Sequence, residues 1–65
     1  MRDINRLNSF YDILRDLHKE CFPDWRFGQL MLNFLGWIQH NKGRDPFYIE
    51  ENEMLALLKE YVRKD

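Results

Sequence analysis

A single cysteine, two prolines, three glycines and no unbroken apolar run are what this 65-residue chain offers in short supply, and each shortage closes off a class of protein. Cys21 has no partner for an intramolecular disulfide, which excludes the small secreted scaffolds that use bridges in place of a core. A reducing, cytoplasmic setting is therefore expected. One Cys and two His lack the paired spacing of a zinc site, so no metal and no cofactor is expected. The longest apolar stretch, around Leu30 to Ile38, is broken by Asn33 and Gly36 and falls short of the roughly 20 residues that span a bilayer. Met1 to Asn8 carries charges of alternating sign where a secretory leader needs a basic patch and an apolar run, so neither leader nor membrane association is expected.

Charge of one sign is missing as well. Ten Lys and Arg face eleven Asp and Glu, a formal charge of −1, so no overall field draws the protein to phosphate backbones or anionic lipids. What the chain does have is apolar mass: 45% hydrophobic and 15% aromatic residues suffice for one packed core and argue against disorder. A chain of this length holds one domain.

Apolar residues recur with helical spacing in three segments. Ile4, Leu7, Phe10, Tyr11, Leu14, Leu17 and Cys21 form the first stripe, widened by Ile13. Asp3 is its expected N-cap, and Asp3/Arg6, Asp12/Arg15 and Asp16/Lys19 pair charges on the wet side. Phe22-Pro23-Asp24 ends it. Phe27, Leu30, Met31, Phe34, Leu35 and Ile38 form the second and most apolar stripe, opposite a narrow polar one of Gln29, Asn33, Gly36 and His40. This helix reads as the centre of the core. Its start is open, since Asp24 caps it directly or Trp25-Arg26-Phe27 runs extended first. Asn41 to Pro46 is turn-forming and stops it near His40. Phe47, Tyr48 and Ile49 read as a short extended segment lying against the core. Met54, Leu57, Leu58, Tyr61 and Val62 make the third stripe, with Glu50, Glu51 and Glu53 at its positive end, Arg63 and Lys64 at its negative end, and Ile49 with Met54 as a hydrophobic staple. The fold class that follows is all-α: a compact three-helix domain with helices over about 4–21, 26–40 and 50–63 and a short extended segment at 47–49.

Pro23-Asp24-Trp25-Arg26-Phe27-Gly28-Gln29-Leu30, then Asn33, then Phe47-Tyr48-Ile49-Glu50-Glu51, resembles a family of short bacterial and phage proteins. Their pattern is a PD-x-R-x-G-Q-L-x-x-N segment followed by FYxE(D/E) before a final helix. The likeness covers most of the chain and implies a domain of this kind; it brings with it no activity, cofactor or partner.

Chemistry is sparsely advertised. Cys21 follows His18 by one helical turn, the spacing of a thiolate–imidazole pair, but its place on the apolar stripe makes it a small buried hydrophobe in the preferred reading. The three glutamates are first of all dipole partners, and Gly43 belongs to a turn, not to a phosphate loop. No catalytic constellation emerges, and an enzyme is not expected. Arg26, Gln29 and Asn33 stand out because they are polar residues on one face of the greasiest helix. Their bland reading is a solvated face, with Arg26 paired to Asp24 or to Glu50/Glu51. Seven large rings near that helix exceed what so small a core encloses, so Trp25, Trp37 or Leu32 left outside would mark a partner surface. The candidate partner-binding residues are Trp25, Arg26, Gln29, Asn33, Trp37 and Tyr48. They suit a non-enzymatic protein-interaction module, with a homodimer among its forms. The alternative is a small helix-turn-helix-like regulator of nucleic acid using Arg26, Gln29, Asn33 and Arg44. That reading ranks second because Asp24 and Asp45 sit beside the cations.

Overall fold

The three stripes coil as their spacing predicts. In the computed structural model, which describes residues 2–63, α1 spans Arg6–Cys21, α2 Phe27–Trp37 and α3 Glu51–Val62, with no strand among the described residues. The chain is an all-α, three-helix domain.

The start of α1 differs from expectation. Asn5, not Asp3, occupies the N-cap position and makes no side-chain cap bond. Asp3 instead builds the turn before the helix: its Oδ1 accepts from the Asn5 N–H at 2.9 Å and its carbonyl from the Arg6 N–H at 3.2 Å. That turn excludes Ile4 from the helix and leaves it 74% exposed. At the other end Phe22 leaves helical geometry at φ −137°, ahead of Pro23, as steric conflict with the proline ring requires.

Arg26 is extended (ψ 155°) and immediately precedes α2, which resolves where that helix begins. Gln29 fixes the corner, because its Oε1 accepts the Arg26 N–H at 2.7 Å and so returns a partner to a donor that the helix leaves free. Gln29→Ala removes this bond without touching the core. It should cost roughly 0.5–1 kcal/mol, read as a lowered urea midpoint at unchanged slope.

Past Trp37 the chain keeps coiling as a π-helical turn, Ile38–Lys42, so the helical path runs beyond His40 to Gly43. Gly43 closes it in the left-handed region at φ 63°, where a residue without a Cβ is unstrained. A π turn links residue i to i+5, which stacks Lys42 above Trp37: its Nζ lies 5.5 Å from the ring centroid and 2.6 Å from Glu60 Oε2 on α3.

Leu30 and Phe34 of α2, Ile38 of the π turn, and Leu57 and Leu58 of α3 are the buried hydrophobic residues among those described, and all but Leu30 form one cluster. Leu14 and Leu17 of α1, with Ile49, Met54 and Tyr61, pack around the cluster. Ile49 and Met54 thus flank the entry to α3 as a staple would place them. The hub differs from expectation, however. α2 and α3 supply two buried side chains each, but α3 is the element against which both other helices pack. The domain is 35 × 27 × 20 Å in extent.

Candidate functional site

The residues singled out from sequence do not form one surface. Three of the six have structural work. Trp25 is half-buried, stacked on Phe22 with ring centroids 4.5 Å apart, and its carbonyl accepts from His18 Nε2 at 2.8 Å. Gln29 caps α2. Trp37 is half-buried among Phe34 and Tyr61, at 6.3 and 5.2 Å between centroids. Its Nε1 is buried with no acceptor among the described residues, a loss that the packing of the large ring has to offset.

The other three are at the surface. Asn33 on α2 and Arg26 just ahead of it are exposed, and Arg26 makes no ion pair among the described residues. Its expected partners are engaged elsewhere: Glu50 holds Arg2 at 2.5 Å and Glu51 holds Arg6 at 2.8 Å. Tyr48 is 76% exposed, and beside it Phe47 is 83% exposed.

This pair corrects the expectation of an extended segment against the core. Pro46–Tyr48 is one turn of 3-10 helix, and only Ile49 is extended and packed inward. The local chemistry explains it. Asp45 Oδ1 accepts the Phe47 N–H at 3.0 Å, the Asp45 carbonyl accepts the Tyr48 N–H at 3.2 Å, and Pro46 presets φ at the first position. Both rings are thereby held outward, edge to face with centroids 4.8 Å apart. Phe47 is the residue that sequence reasoning placed inside. The signal for the turn, Asp-Pro ahead of two aromatics, is nevertheless in the sequence.

Other apolar residues also stay outside. Leu32, at the centre of the outer face of α2, is 78% exposed. Tyr11 and Phe27, at 57% and 64%, line a shallow groove between α1 and the start of α2 together with Leu14 and His18. Cys21 is exposed, against the expectation of a buried hydrophobe. It is the last residue of α1, and Phe22 beyond it takes the inward place, reaching Tyr61 of α3 at 5.9 Å. Nor do His18 and Cys21 act as a pair, since His18 is turned to the Trp25 carbonyl.

Ion pairs account for the acidic start of α3. Glu50 and Glu51 tie it to Arg2 and Arg6, and Glu53 binds Arg44 of the preceding loop. Arg6 thus reaches across to α3 instead of bonding the Asp3 side chain, while Asp12 does pair with Arg15 at 3.3 Å. The Arg6 guanidinium, helped by the backbone N–H of Glu51 itself, lowers the Glu51 pKa, and the Arg44 hydrogen bond lowers that of Glu53. Depressed folded values contribute stability above the ordinary glutamate pKa of about 4.3, and that contribution is lost as pH falls through the folded values. Urea midpoints should therefore hold level from neutrality to about pH 5 and drop below it. The drop should be shallower for Glu51→Gln/Glu53→Gln, and an equally steep fall in that variant would assign it to other groups.

Among the described residues no three His, Cys, Asp or Glu side chains converge on a common point, and no helix is long and apolar enough to cross a membrane. Comparison of the chain with protein-family models, curated proteins and solved structures gives no match.

Proposed function

We propose that the protein is a non-enzymatic protein-interaction module that engages its partner through the Phe47–Tyr48 turn. The observation that carries this reading is a hydrogen-bonded turn presenting two large rings, 83% and 76% exposed, to solvent. Burying two such side chains contributes roughly 3–6 kcal/mol, a substantial part of the 8.2 kcal/mol that corresponds to a micromolar complex. Because Asp45 and Pro46 already hold the backbone, little ordering cost falls on association. Aromatic anchors of this kind dominate binding energy at protein interfaces.

Four side chains with catalytic potential have structural partners, which supports the non-enzymatic reading: His18 serves the Trp25 carbonyl, and Glu50, Glu51 and Glu53 hold arginines. The nucleic-acid alternative loses support in the same way. Lys42 is paired with Glu60 and Arg44 with Glu53, so cations at the far end of α2 are neutralised within the chain.

The test compares the wild-type protein with a Phe47→Ser/Tyr48→Ser variant, by light scattering for self-association and by affinity capture for other partners. A complex formed by the wild type and lost in the variant is expected. Retention of the same complex by the variant would overturn the assignment to this turn. Binding to duplex DNA at low salt, weakening steeply as salt rises, would favour the nucleic-acid reading instead.

A further inference from the structure

We draw no further inference here: the strongest candidate, the uncharged outer face of α2 formed by Gly28, Leu32 and Gly36, is an unpartnered surface, and nothing in the structure shows what covers it.

Discussion

Phe34→Ala is expected to remove much or all of the domain's stability. Phe34 is 2% exposed and sits where α2 meets α3, its ring 5.4 Å from that of Tyr61. Truncating a buried phenylalanine costs about 3–5 kcal/mol, because the apolar surface is lost and the cavity closes only in part. A chain of this length commands roughly 3–10 kcal/mol in all, so one such cavity removes much or all of the margin. Phe27 on the same helix provides the control. It is 64% exposed, and Phe27→Ala should cost less than about 1 kcal/mol. Circular dichroism during urea titration reads both variants, and comparable losses at the two positions would contradict the assignment of inside and outside along α2.

The three glycines should respond to alanine with opposite signs. Gly28 and Gly36 lie within α2 at ordinary helical φ, and a Cβ at either meets nothing within 4 Å. Gly36 is therefore a helix-interior glycine and Gly28 a first-turn one, each with no compensating contact in the folded chain. Alanine there should stabilise by about 0.5–1 kcal/mol per site, through a less disordered unfolded state and better helix propensity. Together the two changes should raise the melting temperature by roughly 4–16 °C, at 4–8 °C per kcal/mol for a domain of this size. Gly43 differs in its backbone alone. At φ 63° an alanine is strained, so Gly43→Ala should lower stability by about 1–2 kcal/mol although its Cβ also has open space. Thermal melts of the three single variants check this. A destabilising Gly36→Ala would mean that α2 is packed more tightly on that side than the structure has it.

These contrasts show what the sequence could and could not convey. Leu30, Phe34 and Ile38 recur at helical intervals, and so do Leu57, Leu58 and Tyr61; one face must hold them, and the helices follow. Periodicity gives the direction in which a side chain points along its helix, but not whether another element lies there. Tyr11, Phe27 and Cys21 share a stripe with core residues yet lie where no neighbouring helix covers them, which only the packing of α1 and α2 on α3 reveals. Phe47–Ile49 is shorter than any period, so a single 3-10 turn and an extended segment look alike by pattern. The deciding information was the Asp45-Pro46 turn chemistry. Gln29 escaped for a related reason. It caps the N–H of Arg26, and arginine is not among the residues that announce a helix start. The Arg6–Glu51 pair joins residues far apart in the chain, where no local rule reaches.

That Phe47 and Tyr48 are free for a partner, and contribute nothing to the core, is tested most directly by the unfolding free energy of the Phe47→Ser/Tyr48→Ser protein in urea. The value should fall within about 0.5 kcal/mol of the wild type, as substitutions of solvent-facing side chains do. A loss of several kcal/mol, the signature of buried aromatics, would contradict the account.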